Sequence, residues 1–357
     1  MSTQNANAAL AKIIGDEIRE TGPISFARFM EHALYYPQHG YYSSGRAIIG
    51  RCGDYFTNVS VGPLFGTLLA AQFVEIWERL GKIDNFTIVE QGAHDGQFAH
   101  DVLTAMRARS PQLFETLRYQ IVEPFPILQD RQLPTLREFE ERVSWSESLA
   151  DLDPFVGVHF SNELLDAMPV NLRGKSVGLK GDEFVLVERA PTDESKPNQS
   201  QLDWIDGVAA KLQCGFVIAI DYGFTRNDFH EVVQARAQHR HLDSPFEQIG
   251  EADISVHINW TDIAERAEAD GLRVTGFTDQ HHFITGIIST LLRAEIEHDP
   301  KAKRALQTLL HPEMLGRAFQ VLALGKDVDY SLETDPGVAK PLSSFKFARD
   351  GRTSLGL

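Results

Sequence analysis

Three short segments gather carboxylates and glycines where an α/β chain would place its chemistry. In the first, FTIVEQGAHDGQFAHDVL, an apolar run ends at Glu90, a turn carries Gly92, Ala93, His94, Asp95 and Gly96, and a helical pattern follows. Glycine lets a backbone turn sharply and approach a ligand, and a helix N-terminus presents N–H groups that lack intrahelical partners. Glu123 closes the run YQIVE 31 residues beyond Gly92, where a carboxylate can accept hydrogen bonds from a ribose. A dinucleotide site would use an acid about 20 residues on and a full G-x-G-x-x-G. This spacing departs from both and fits the looser turn of a sheet that binds S-adenosylmethionine; an ordinary α/β turn with a strand-end acid is the plainer alternative. In the second segment, Asn162, Glu163 and Asp166 follow the run FVGVHFS. Acids three apart share one face of a helical turn. Two carboxylates so placed can grip a guanidinium and orient one nitrogen as a nucleophile. The plainer alternative has Asn162 capping a short helix with solvated acids. The third segment, FVIAID, ends in Asp221, Tyr222 and Gly223.

The elements that must position these residues are legible as apolar runs. Phe86 to Glu90, Tyr119 to Glu123, Phe155 to Ser161, Phe216 to Asp221, Leu272 to Phe277 and Phe319 to Leu324 are short, β-branched or aromatic, and apolar on both faces, with a weaker run at Val143 to Trp145. Such runs suit strands covered on both sides by helices. Helical patterns at Leu64 to Leu80, Phe98 to Arg107 and Asp262 to Asp270 lie between them, the first and last stopped by Gly81 and Gly271. The expected organisation is an N-terminal helical and flap segment at 1–63, a core at 64–325, and a C-terminal tail at 326–357 that drapes over the surface. Two insertions interrupt the core, a β-hairpin near 170–189 and helices near 283–316. In the flap, Tyr35, Tyr36, Tyr41 and Tyr42 read as packing residues, while Gly53, Asp54, Thr57 and Ser60 precede the first core helix and could reach a cofactor.

Fifty acidic against 34 basic residues give a net charge of −16, which disfavours nucleic acid and anionic membranes and mildly favours a cationic partner. Cys52 and Cys214 form no disulfide framework or metal-ligand spacing, and the 13 histidines contain no H-E-x-x-H, so no metal is expected. Without a G-x-S-x-G elbow an α/β-hydrolase is disfavoured. The N-terminus lacks the pattern of a signal or transit peptide and no apolar run approaches the roughly 20 residues of a membrane span. A cytoplasmic location is expected, and a homo-oligomer is compatible with the sequence.

In ISFARFMEHALYYPQHGYYS, GDYFTNVSVGPLFG, VEQGAHDGQFAHDVL, SNELLDAMPV, FVIAIDYG and QIGEADISVHINW, in that order over roughly residues 23 to 325, the chain resembles the MidA-like methyltransferases. That family includes a mitochondrial complex I assembly factor that methylates protein arginine. The resemblance implies a class I methyltransferase fold, a Rossmann-like α/β sheet with N-terminal flap, inserted β-hairpin and inserted helices. It also implies S-adenosylmethionine as cofactor and methylation of arginine on a protein substrate. Carried over by position, Glu90, Gly92 and Gly96 form the cofactor turn, Glu123 is the ribose acid, Gly53 and Asp54 lie near the cofactor, and Asn162, Glu163 and Asp166 stand beside the methyl group. Where the family turn reads G-A-G-x-G, this chain has His94 at the middle glycine. That departure motivates a second reading, a catalytically inactive cofactor-binding or assembly protein on the same fold. A third, an NAD-dependent oxidoreductase, is disfavoured by the turn.

Overall fold

The computed structural model describes residues 7–47, 57–188, 197–292, 299–328 and 341–357. Its chain divides into two compact units, one of Met1–Ser60, Leu165–Asp203 and His230–His257, the other of Val61–Leu164, Trp204–Phe229 and Ile258–Leu357. This differs from a flap, a continuous core and a tail: two stretches inside 64–325 fold with the N-terminal residues.

The larger unit is built on the apolar runs. Its principal strands are β1 (Phe86–Gln91), β2 (Arg118–Val122), β3 (Val143–Ser146), β4 (Phe155–Asn162), β5 (Leu212–Phe224), β6 (Arg273–Asp279) and β7 (Phe319–Lys326). They lie in the order β3-β2-β1-β4-β5-β7-β6. The β1–β5 neighbours pair parallel, whereas β7 runs antiparallel to both β5 and β6. Ile258–Asn259 adds a short parallel pairing at the end of β5. Helices cover the sheet because its strands are apolar on both faces. Phe98, from helix Gln97–Arg109, stacks on Phe160 of β4 at 4.5 Å between centroids, and Phe73, from helix Leu64–Arg79, meets the same ring edge-on. The expected helical insertion comprises helix Gln280–Ile287, a π-helical turn Ile288–Leu292 and helix Pro300–Leu310. The tail does not simply drape: Leu342, Phe345 and Leu355 are buried, and Phe345 packs edge-on against Phe283.

The smaller unit has its own apolar cluster, with Leu10, Ile14, Phe26, Phe29, Met30 and Val177 among its members. Helices Ala8–Thr21 and Phe26–Tyr35 supply Leu10, Ile14, Phe26, Phe29 and Met30. The expected hairpin forms, as Lys175–Lys180 paired antiparallel with Glu183–Glu188, and it pairs further with Ile24–Ser25. It belongs to this unit because Val170, Leu172 and Val177 bury their side chains in the cluster, a gain of roughly 1.5–3 kcal/mol for each fully buried aliphatic group. A small sheet of Val233–Ala237, Arg240–His241 and Asp253–Val256 completes it. The tyrosines pack, as expected. Tyr41 is buried, Tyr35 stacks on Tyr42, and their hydroxyls donate to the Ala167 carbonyl and the Asp253 carboxylate.

Candidate active site

The larger unit brings the ends of β1, β2 and β3 together. After β1 the chain turns through Gly92 at φ +84°, His94 at +48° and Gly96 at +78°, left-handed conformations in which glycine carries no strain. Gly96 precedes helix Gln97–Arg109, and a Cβ there would come within 3.1 Å of Leu136, so the turn lies close against helix Pro126–Leu136. The His94 ring reaches that same helix: Arg131 Nη1 stands 3.3 Å from Nε2, with Asp95 on the Nδ1 side at 3.6 Å. Arginine can only donate, so Nε2 is the acceptor of that pair.

Two buried carboxyl groups stand at the strand ends. Glu90 accepts a 2.6 Å hydrogen bond from the Tyr119 hydroxyl. Burial pushes its pKa up to about 8 although that hydroxyl favours the ionised form, and the Asp95 charge adds to the rise. Glu123 accepts from the Phe125 N–H at 3.1 Å and from Gln132 Nε2 at 3.2 Å. Burial again dominates and raises its pKa to about 7 against those two donors. Beyond Gln91, whose Oε1 accepts from the Trp204 indole, β4 ends at Asn162 and Glu163 follows it. Asn162 Nδ2 donates to Glu163 Oε1 at 2.9 Å.

The segment after β4 corrects one expectation. Glu163 and Asp166 do not share a helical turn; Glu163 sits at φ +53° and no helix follows it. Its N–H donates to the Ile220 carbonyl, and the next N–H, of Leu164, donates to Asp221 Oδ2 at 3.1 Å. Asp221, buried at the end of β5, also accepts from the Tyr222 N–H. These bonds hold Glu163 in a conformation that costs an L-residue roughly 1–2 kcal/mol. Asp166 belongs to the smaller unit, where its carbonyl accepts from the Val256 N–H. Gly53 and Asp54 lie outside the described residues. Thr57 and Ser60 hydrogen-bond each other within a local turn.

The model of one family of S-adenosyl-L-methionine-dependent methyltransferases matches residues 68–180 and 183–278, more than half of the chain. The chain belongs to this family. As such it is a methyltransferase whose cofactor is S-adenosylmethionine. Among its relatives, the mitochondrial protein arginine methyltransferase NDUFAF7 homolog of Drosophila melanogaster is 24% identical over 90% of this chain and 86% of its own length. Mitochondrial NDUFAF7 of Bos taurus is 25% identical over 86% and 81%. A superfamily member from Burkholderia thailandensis, solved with S-adenosyl-homocysteine bound, superimposes with a TM-score of 0.80 over 95% of both chains at 27% identity. The names of the curated relatives overturn the cytoplasmic location expected from the sequence, since they are mitochondrial proteins.

The residues of this methyltransferase fit its cofactor. An ionised carboxylate offers about four acceptor positions. Protein donors to the Glu123 carboxylate, Phe125 N–H and Gln132, use two. Among the described residues the other two positions receive no protein donor. The turn carries no side chain at Gly92 or Gly96, and the departing residue His94 has its ring engaged by Arg131. Sequence reasoning missed Gln132 and Arg131, which lie in no motif; the half-buried Trp145 indole, which needs an acceptor, was the only available hint.

Proposed function

We propose that this methyltransferase methylates an arginine side chain of a protein substrate, with Glu163 as the group that grips the guanidinium. The observation that carries the reading is the Asn162–Glu163 pair at the end of β4, its backbone held in a left-handed conformation by the Ile220 carbonyl and Asp221. Strain retained by several hydrogen bonds at a sheet's carboxyl edge is characteristic of a working residue. The names of the relatives, protein arginine methyltransferases, support the same substrate class. A net charge of −16 favours a basic polypeptide over nucleic acid.

In this reading Glu90, Gly92, Gly96 and Glu123 hold the cofactor. S-adenosylmethionine, when bound, supplies a methyl group already activated on a sulfonium. The protein's work is then alignment and proton management. Glu163 accepts hydrogen bonds from the guanidinium, and Asn162 keeps one of its oxygens oriented. Asp166 supports the loop of the smaller unit, where its carbonyl accepts from the Val256 N–H. As the N–C bond forms, the sulfur–carbon bond breaks and the nitrogen carries one proton too many, which Glu163 accepts. Because the guanidinium is protonated at neutral pH, this acceptor is required during or after attack.

The test is mass spectrometry of protein extract incubated with the enzyme and deuterium-methyl S-adenosylmethionine. Label on arginine that falls about a hundredfold with Glu163→Gln is expected. Label on another residue type, or full activity in that variant, refutes the assignment.

A further inference from the structure

Gln132 is fully buried in helix Pro126–Leu136 and its side-chain amide touches three segments that arrive from three different strands. Nε2 donates to the carbonyl of His94 at 3.1 Å, in the turn after β1, and to Glu123 Oε2 at 3.2 Å, after β2. Oε1 accepts from the Trp145 indole at 2.7 Å, in β3. An indole N–H can only donate, so it fixes which way round the amide stands. Oε1 must face Trp145, and the NH2 group must face Glu123 and the turn. A freely rotating amide could offer Glu123 an acceptor instead; this one cannot.

We propose that Gln132, locked by Trp145, is a positioning residue for cofactor binding: it ties the glycine turn to the ribose acid and presents only donors to Glu123. The inference rests on the reading of Glu123 as the ribose acid. Its chemical consequence concerns the charge of that carboxyl. A donor favours the ionised carboxylate, which is the form able to accept from two hydroxyls, and opposes the burial that drives the group toward neutrality. Gln132 and the Phe125 N–H are the only side-chain or backbone partners of the carboxyl among the described residues. On the elements around it the ionisable groups are engaged elsewhere or exposed: Glu90 with Tyr119, His94 with Arg131 and Asp95, and Glu147 toward solvent.

The experiment is calorimetric titration of the full chain with S-adenosylhomocysteine from pH 6 to 9. In the wild type, ionisation of a carboxyl with a pKa of about 7 strengthens binding about tenfold between pH 6 and pH 8. Gln132→Met removes both donors and keeps the volume, so the midpoint moves up by about one pH unit. Binding is then about fivefold weaker at pH 7 and near wild type at pH 9. Trp145→Phe releases the amide without removing it and moves the midpoint the same way by less, which decides the matter if Gln132→Met does not fold. A merely structural role weakens binding equally at every pH, and that result, or an unmoved midpoint in both variants, overturns the proposal. Glu123→Gln separates the two layers. A flat, weakened profile in that variant with an unmoved midpoint in Gln132→Met refutes the Gln132 role alone. Wild-type affinity and pH dependence in Glu123→Gln overturn the reading of Glu123, and the inference with it.

Discussion

His159 makes the stability of the sheet unit depend on pH in a way that one substitution removes. It lies in β4 between Val89 of β1 and Val217 of β5, is fully buried, and has no hydrogen-bond partner for either ring nitrogen among the described residues. Its ring meets the Trp204 ring edge-on at 5.6 Å. Burial lowers its pKa from 6.5 to about 3, because an imidazolium there would have neither solvent nor a partner. The unfolded chain therefore binds the proton more readily than the folded one. Stability is fully present above pH 6.5 and is lost as pH falls from there toward 3. At about 1.4 kcal/mol per pH unit, the loss reaches roughly 2 kcal/mol at pH 5 and about 4 kcal/mol at pH 3. His159→Leu removes this contribution and two unsatisfied nitrogens at similar volume. Urea denaturation followed by tryptophan fluorescence at pH 7.5 and pH 5 measures it as a difference between proteins, so all other titrating groups cancel. The stability of the variant relative to wild type must rise by roughly 2 kcal/mol on going from pH 7.5 to pH 5. An equal gap at the two pH values refutes the buried, neutral histidine.

Glu90 gives the opposite sign. Burial, against the Tyr119 hydroxyl, raises its pKa to about 8, so its contribution is favourable below pH 4.5 and is lost as pH rises through 8. Glu90→Gln keeps an acceptor for Tyr119 and should gain roughly 3 kcal/mol over wild type between pH 4 and pH 7 in the same denaturation assay; no pH-dependent gain counts against an uncharged Glu90. Glu163→Gly should unfold within about 1 kcal/mol of wild type, since relief of the left-handed backbone offsets the greater freedom of the unfolded glycine chain, while methyl transfer falls about a hundredfold. Glu163→Val, with a β-branched side chain at that φ, should lose about 2 kcal/mol, and a thermal scan in which it matches Glu163→Gly refutes the strain.

Why Gln132 and His159 escaped the sequence, while Glu123 and Asn162 did not, follows from what each signal depends on. Strands covered on both faces must be apolar along their whole length, so β1, β2, β4, β5 and β7 announce themselves, and with them the acids at their ends. The small sheet of Val233–Ala237 and Asp253–Val256 does not, because its polar residues Gln234, Arg236 and Ser255 interrupt any apolar run. Unit membership is equally hidden: Val170, Leu172 and Val177 read as a hairpin inserted in a core, and only three-dimensional packing assigns them to the cluster of Phe26 and Phe29. Backbone strain leaves no trace in composition either; Glu163 and Asp166 have ideal helical spacing, yet hydrogen bonds from outside that segment, to Ile220 and Asp221, override it. Gln132 is the limiting case. Its role needs a carboxylate 9 residues before it, an indole 13 after it and a carbonyl 38 before it, three partners on three strand ends that no local spacing connects. A strand-end acid can therefore be found by pattern, whereas the group that sets the acid's charge becomes visible only when the sheet brings those ends together.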